Sequence, residues 1–133
     1  MRNAHLTPKE IVLAANMLMV TKRSNEAVAT YFAPDYVDHN LDTPGHNLAG
    51  MVSLMREMGF TEDNPNDREL TFVVDHAIAE GDMVMIHQHA SEPGMPGLVF
   101  MELYRVRDGL IVEHWDVAQT VPENPVNTRV GMI

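Results

Sequence analysis

Residues 104–116 read YRVRDGLIVEHWD, and this stretch decides the fold. An Arg-Asp-Gly break at 107–109 separates two runs rich in Val, Ile, Leu and aromatic side chains, a pattern typical of a β-hairpin. We expect a three-residue loop in which Gly109 adopts the left-handed backbone conformation. The stretch therefore predicts two antiparallel strands joined by a tight turn.

The length of this loop decides which side chains share a sheet face, because a slip of one residue turns every side chain over. A three-residue loop pairs Glu102 with His114 and leaves Asp116 on the same face. A two-residue loop at 108–109 would set Glu102 opposite Trp115 instead. We favour the three-residue loop, which predicts a cluster of two carboxylates and a histidine on one face.

The rest of the chain predicts helices first and strands after. Residues 7–10, TPKE, are a helix start with an N-cap threonine, a first-turn proline and a capping-box glutamate. Apolar spacing and stop signals predict three helices, at 8–23, 24–32 and 47–58. Runs rich in Val, Ile, Phe and Tyr between short turns predict an antiparallel meander of four strands, at 69–79, 83–91, 98–106 and 110–119.

The chain has 133 residues, no cysteine and a formal net charge of −10. This length fits a single domain spanning 1–133, with a core at about 8–120 and a C-terminal tail at 121–133. The acidic balance argues against nucleic acid and anionic membranes, which bind Lys and Arg. No apolar run approaches the ~18 residues of a membrane span, and no basic and apolar leader opens the chain. We expect a cytoplasmic protein without disulfides or thiolate sites.

Seven histidines are many for a chain of this length. With a two-residue turn at Gly81, His87 and His89 lie on one strand face, ~7 Å apart, with His76 on the same side. Both could reach into a cavity, or hold a catalytic zinc or iron together with a carboxylate. The alternative is a polar face that tolerates histidine. Because no His-Glu-X-X-His or other tight ligand spacing occurs, we predict no metal.

Asp116 stands in an otherwise apolar strand, where a carboxylate must be hydrogen-bonded or solvated. Burial raises the pKa of a carboxyl toward neutrality, which general acid/base catalysis needs. Glu102 beside it would push the two titrations apart. Alternatively, the two carboxylates lie on a solvent-exposed edge of the sheet. Their spacing is compatible with both a buried acid/base pair and an exposed edge.

The segment at 36–40, YVDHN, follows a helix stop and precedes a Pro-Gly loop. Its hydrogen-bonding side chains suit either a pocket lip on a loop or a simple polar turn. Asp38 would then join Glu102 and Asp116 at the lip or wall of an apolar pocket. Met55 and the neighbouring methionines suit an adaptable pocket wall or plain core filling.

Two segments, YFAPDYVDHN at 31–40 and YRVRDGLIVEHWD at 104–116, together resemble the SnoaL-like polyketide cyclase family. This family belongs to the nuclear transport factor two-like, or ketosteroid isomerase-like, superfamily. The resemblance implies an α+β fold, a cone-shaped curved antiparallel sheet with the N-terminal helices packed on its concave face (the superfamily's α+β barrel). It also implies a homodimer that acts on a small-molecule substrate without metal or cofactor.

The resemblance implies that Asp116 is the general acid/base of an aldol-condensation cyclase or isomerase, acting on a small or polycyclic apolar carbonyl compound. Glu102 takes the place of the family's histidine on the preceding strand, and His39 would act with both carboxylates. His39, His89 or His114 would hydrogen-bond the enolate oxygen. The expected substrate-binding residues are Tyr36, Asn40, His87, His89, His114 and Met55.

Other interpretations remain open at this point. A non-catalytic small-molecule-binding or protein-interaction module can share the fold, and a pKa of Asp116 near its ordinary ~4 would favour it. Isomerases, dehydratases and epoxide-opening hydrolases of the superfamily also use a buried acid/base group. For the homodimer, we expect an interface on the convex face that bears Trp115 and Ile111.

Overall fold

The computed structural model describes residues 1–133. It contains three helices, which are α1 (Pro8–Val20), α2 (Ser24–Tyr31) and α3 (Leu48–Glu57), with a 3-10 turn at Pro44–His46. The five strands are β1 (Phe32–Asp38), β2 (Thr71–Glu80), β3 (Met83–Ser91), β4 (Leu98–Arg107) and β5 (Leu110–Thr120). None of the helices combines the length and the apolarity that a membrane crossing requires.

The strands form one mixed sheet in the order β1-β5-β4-β3-β2, which is open and not closed into a barrel. Strands β2 to β5 pair antiparallel with their neighbours in the chain, as predicted for the meander. Strand β1 joins the edge of the sheet, parallel to β5. The predicted α+β class, helices covering a largely antiparallel sheet, is confirmed with one strand added.

Strand β1 lies where the sequence predicted a helix end and a loop. Pro34 argues against a strand, but an edge strand has one side on which the missing N–H needs no partner. The backbone N–H of His39 donates to the carbonyl oxygen of His114 at 2.8 Å, which extends the pairing with β5 past Asp38. The segment at 36–40 is therefore held against the sheet.

Helix α1 begins as predicted and ends earlier. The backbone N–H of Glu10 donates to the Thr7 hydroxyl, and the backbone N–H of Thr7 donates to the Glu10 carboxylate, which completes the capping box. The helix ends at Val20 because Lys22 adopts the left-handed conformation (φ 67°) and the following N–H bonds back to Leu18. The predicted end at residue 23 is wrong.

The helices cover one face of the sheet, which we call the inner face; the opposite side is the outer face. Ile11, Val12 and Ala15 of α1 are buried against inner-face side chains of the strands, including Val84, Ile86, Tyr104, Val106 and Ile111. Ile111 is fully buried in this core. The interface predicted from Trp115 and Ile111 therefore loses one of its two residues.

The hairpin between β4 and β5 has a shorter loop than predicted. Only Asp108 and Gly109 connect the strands, and both have positive φ (52° and 77°), the type I′ turn that suits a two-residue hairpin. Arg107 pairs with Leu110 on either side of the turn. The predicted three-residue loop is wrong.

A β-bulge at Val112 compensates for the shorter loop. Val106 pairs with Ile111 and Arg105 pairs with Glu113, so Val112 is the extra residue. One extra residue shifts the following side chains back to the faces that the longer loop would have given. The side chains at 102, 114 and 116 consequently share the inner face as predicted, although Glu102 pairs with Asp116 and not with His114.

Candidate functional site

A cavity of about 380 Å³ lies between the inner face and helices α1 and α3. We call it the head cavity. Apolar residues make up 14 of the 23 residues that line it, so the cavity suits a largely apolar ligand. Most of its ionisable side chains stand on β1, β4 and β5, which are neighbours in the sheet. The polar groups are therefore concentrated at one end.

The head cavity brings together most of the residues that the sequence proposed for the site. These lining residues are Asp116, Glu102, His114, Tyr36, Asn40 and Met55. Met55 comes from α3, which forms part of the wall opposite the sheet. On β1 and just beyond it, the side chains at 36, 38 and 40 point the same way because strand residues alternate with a period of two.

Three predicted site histidines lie outside the head cavity, on the outer face. His39 stacks on Trp115 with ring centroids 4.6 Å apart, and its Nε2 lies 2.7 Å from Glu113 Oε2. His87 and His89 occupy the β3 positions that alternate with its buried residues. The expectation that His39, His87 and His89 reach into the pocket is wrong, because strand alternation turns them away from it.

His114 stands at the centre of the polar end. Its Nδ1 lies 3.3 Å from Asp38 Oδ1 and its Nε2 lies 3.4 Å from Glu102 Oε1, while its ring stacks on Tyr104. Burial alone would lower the pKa of His114, but the two carboxylates outweigh it and raise the pKa to about 9. His114 is thus protonated at neutral pH, and it is the only basic side chain that lines the cavity.

Asp38 is almost completely buried, with 3% of its surface exposed. It accepts hydrogen bonds from the Tyr36 hydroxyl at 2.7 Å and from the backbone N–H of Asn40 at 2.9 Å. Burial raises the pKa of Asp38, but these bonds and the contact with His114 outweigh it and hold the pKa below its usual range. Burial and the nearby Asp38 charge raise the pKa of Tyr36 well above its ordinary value. Asp38 is therefore ionised at neutral pH.

The pKa of Asp116 is shifted in the opposite direction to that of Asp38. Burial raises the pKa of Asp116 above its usual range, with a further contribution from Glu102, although the charge on His114 opposes it. Its two carboxylate oxygens accept from Asn40 Nδ2 at 3.0 and 3.2 Å. One carboxylate of the site is thus held ionised while another is shifted toward protonation, the arrangement expected for groups with different acid/base roles.

Glu102 is held by a buried amide network that the sequence reasoning missed. Gln88 Nε2 donates to the Glu102 carboxylate, and the side-chain amides of Gln88 and Asn16 bond to each other at 3.0 and 3.1 Å. Gln88 follows the buried positions 84 and 86 in strand alternation, a signal that could have found it. Asn16 adjoins the buried Ala15 on α1, which is only a weak signal.

The same cluster has the composition of a metal site. Glu102, His114 and Asp116 offer nitrogen and oxygen atoms that lie within 4.8 Å of one another. A histidine must be deprotonated to bind a metal, and here the flanking carboxylates stabilise the proton on His114. A metal would therefore compete with a tightly held proton, so the arrangement favours proton transfer.

Several solved structures have a similar fold. Wild-type IdmH, a polyketide cyclase candidate from Streptomyces antibioticus, is 22% identical, with 85% of this chain and 92% of that chain covered and a TM-score of 0.63. AclR, a hydroxylase candidate from Streptomyces galilaeus, is 22% identical (84% and 88% covered, TM-score 0.62). A ketosteroid isomerase candidate from Kribbella flavida is 16% identical (92% and 85% covered, TM-score 0.65). Among curated proteins, no sequence matches significantly.

The family assignment rests on a sequence match. The model of the SnoaL-like domain matches residues 16–114, which begins at Asn16 on α1 and ends at His114 in the cavity. Asp116 lies just beyond the matched residues. Because this match covers well over half of the chain, and the fold agrees with it, the chain belongs to the SnoaL-like domain family.

Proposed function

We propose that this protein is a cofactor-independent general acid/base enzyme, a SnoaL-like cyclase or isomerase, that acts on a small or polycyclic apolar carbonyl compound. One observation carries the proposal. Asp116, whose pKa is raised by burial, faces the same apolar cavity as protonated His114. A base shifted toward neutrality and a fixed positive charge are the two groups that enolate chemistry requires.

Asp116 is the proton-transfer group in this mechanism. Its carboxylate removes a proton from the carbon next to the carbonyl, so the C–H bond breaks, its electron pair forms a C=C bond, and the π pair of the C=O bond moves onto the carbonyl oxygen. In a cyclase, the enolate carbon then attacks a second carbonyl of the same molecule and forms the new C–C bond. In an isomerase, the proton returns to a different carbon. Asp116 gives the proton back, in the cyclase to the alkoxide oxygen formed on the second carbonyl and in the isomerase to that different carbon, so no cofactor is consumed.

His114 stabilises the negative charge that develops on the oxygen. It is the only basic side chain lining the cavity, and its buried Nε2 has no hydrogen-bond partner at normal distance. Asp38 and Glu102 keep the imidazole protonated through the reaction and fix its orientation. Asn40 orients the Asp116 carboxylate through its side-chain amide. His39 and His89, on the outer face, have no part in this mechanism.

The test does not need the natural substrate. Enolisation exchanges the protons beside a carbonyl with solvent, so exchange into a bicyclic ketone such as β-tetralone in D₂O reports the proposed step by NMR. We expect Asp116→Asn to slow enzyme-dependent exchange by about 10²–10⁴-fold, the usual contribution of a general base. Glu113→Gln, which changes a carboxylate of the outer face, is the matched control. Equal exchange rates for wild type and Asp116→Asn would refute the assignment, and would favour a non-catalytic binding protein.

We also infer that the protein acts as a homodimer that pairs through the outer face. Ile78, Met101 and Val117 on this face are 61%, 40% and 69% exposed, an apolar surface that a second copy would cover. Sedimentation velocity of the wild type and of Val117→Asp measures the expected shift from dimer to monomer. A wild-type monomer at micromolar concentration would contradict this inference.

A further inference from the structure

A second cavity of about 250 Å³ adjoins the head cavity, and we call it the tail cavity. Five apolar side chains line both cavities: Met58, Phe60, Phe72, Leu98 and Phe100. Phe60 meets Phe72 edge to face with centroids 6.0 Å apart, and Phe72 stacks near Phe100 at 6.3 Å. The boundary between the cavities is therefore apolar and rich in aromatic faces.

The two cavities follow one another along the central strands. From the head cavity to the tail cavity, the inner-face positions are Glu102, Phe100 and Leu98 on β4. Their partners on β5 are Asp116, Ala118 and Thr120. Residues four apart in a strand are ~13 Å apart. The inner face therefore offers a continuous floor of about that length between the carboxylates and the far end.

The lining becomes less polar from the head cavity toward the tail cavity. Only two ionisable residues line the tail cavity, Arg68 and Glu92. They bind each other through two hydrogen bonds, Nε to Oε2 at 2.9 Å and Nη2 to Oε1 at 3.0 Å. Because the guanidinium and the carboxylate neutralise one another, the tail cavity offers no free charge to a ligand. Its chemistry suits hydrocarbon.

We propose that the ligand is an elongated apolar ketone, whose carbonyl end lies beside Asp116 and whose hydrocarbon tail passes Phe100 into the tail cavity. The proposal rests on the proposed function for the carbonyl end and adds the shape of the substrate. A compact ketone would occupy the head cavity only. Each further methylene that leaves water for this apolar floor strengthens binding by about fourfold.

Straight-chain methyl ketones of increasing length test this proposal by binding alone. They are titrated into wild-type protein and into Asp116→Asn, with Kd taken from backbone amide shifts in NMR spectra. We expect Kd to fall by about fourfold per added methylene until the chain spans the ~13 Å floor, and then to level off. The amide of Thr120 should shift with long ketones and not with short ones. A Kd independent of length, or no binding of any ketone, would overturn the proposal.

A matched pair of substitutions at the end of β5 locates the tail. Thr120 lines the tail cavity, whereas its neighbour Gln119 points to the other face, and both residues are exposed. Thr120→Trp fills the tail cavity and should weaken binding of the longest ketones at least tenfold while leaving the shortest unchanged. Gln119→Trp should bind the whole series like wild type. Equal effects of the two substitutions would contradict a tail at this position.

The two proposals fail in different ways. If Asp116→Asn abolishes exchange in β-tetralone but ketone length does not affect Kd, only the elongated ligand is refuted. If length and Thr120→Trp act as expected but Asp116→Asn exchanges protons like wild type, only the acid/base assignment is refuted. The binding titrations are informative in either case, because they do not depend on turnover.

Discussion

Two histidine–carboxylate pairs stand on opposite faces of the same part of the sheet. The inner pair joins His114 to Asp38 at 3.3 Å, and these side chains are 11% and 3% exposed. The outer pair joins His39 to Glu113 at 2.7 Å, and these side chains are 41% and 27% exposed. The shorter contact is thus the more exposed one.

Burial, and not the distance between the charged atoms, decides how strongly each pair interacts. In a low-dielectric interior, charges interact more strongly, and one charge left without its partner is costly. An exposed pair competes with water and contributes about 0–1 kcal/mol. The inner pair therefore keeps His114 protonated within the cavity wall. The outer pair, where Glu113 also accepts from Arg105 Nε at 3.1 Å, belongs to an ordinary charged surface.

The largest change to this comparison would come from inserting one alanine after Val112, the bulge residue of β5. The bulge already takes up one extra residue, so a second one would set the side chains from 113 onward on the opposite faces. Glu113 would enter the core without a partner, and the pocket groups His114 and Asp116 would face outward. We expect loss of cooperative folding at 25 °C, measured by circular dichroism during thermal denaturation.

Val112→Ala is the matched control for this insertion. It keeps the number of residues, and so the faces, while it removes only two methyl groups from a half-buried side chain. We expect a loss of about 1 kcal/mol, typical of a single substitution. An insertion variant as stable as Val112→Ala would show that the number of residues in the bulge does not set the faces of β5.

The same hairpin shows how far the sequence can be interpreted. The bounds of β4 and β5 and the shared face of Glu102, His114 and Asp116 were predicted, but through the wrong loop. The Asp-Gly dipeptide at 108–109 favours the type I′ turn that is observed, so the loop was accessible to sequence reasoning. The bulge was not, because Val112 is an ordinary strand residue whose extra position depends on pairing with β4.

Local sequence patterns could not predict the half of the site that β1 provides. A loop at 36–40 carries no alternation, so His39 and Asn40 were both expected in the pocket. As part of a strand and its extension, the segment turns the side chain at 38 inward and that at 39 outward. Only the parallel pairing with β5 fixes this, and that pairing joins residues more than seventy positions apart. The contact between Gln88 and Asn16 is non-local in the same way.

Removing one carboxylate from each pair compares the two faces directly. Asp38→Asn removes the anionic partner of His114 Nδ1, and we expect the free energy of unfolding to fall by about 3–5 kcal/mol, as for a broken buried pair. Glu113→Gln should cost at most about 1 kcal/mol, because its partners are partly exposed. Urea denaturation at pH 7 measures both values. Equal losses would mean that burial does not distinguish the pairs.

A smaller effect, and the sharpest test of the inner pair, is the dependence of stability on pH. The pKa of His114 rises from 6.5 to about 9 on folding, so the folded state binds this proton more tightly than the unfolded chain. The resulting stabilisation is fully present below pH 6.5 and is lost as the pH rises through 9, a change of about 3 kcal/mol.

Urea denaturation at pH 6 and at pH 9.5 measures this change, and His114→Gln should remove it. His39→Gln, on the outer face, should leave it intact, since that histidine lies among groups in contact with water. The lowered pKa of Asp38 places its titration at more acidic pH, outside this window. A stability that stays constant from pH 6 to pH 9.5 in the wild type would mean that His114 is neutral in the cavity, and the enolate would then lose the positive charge proposed to stabilise it.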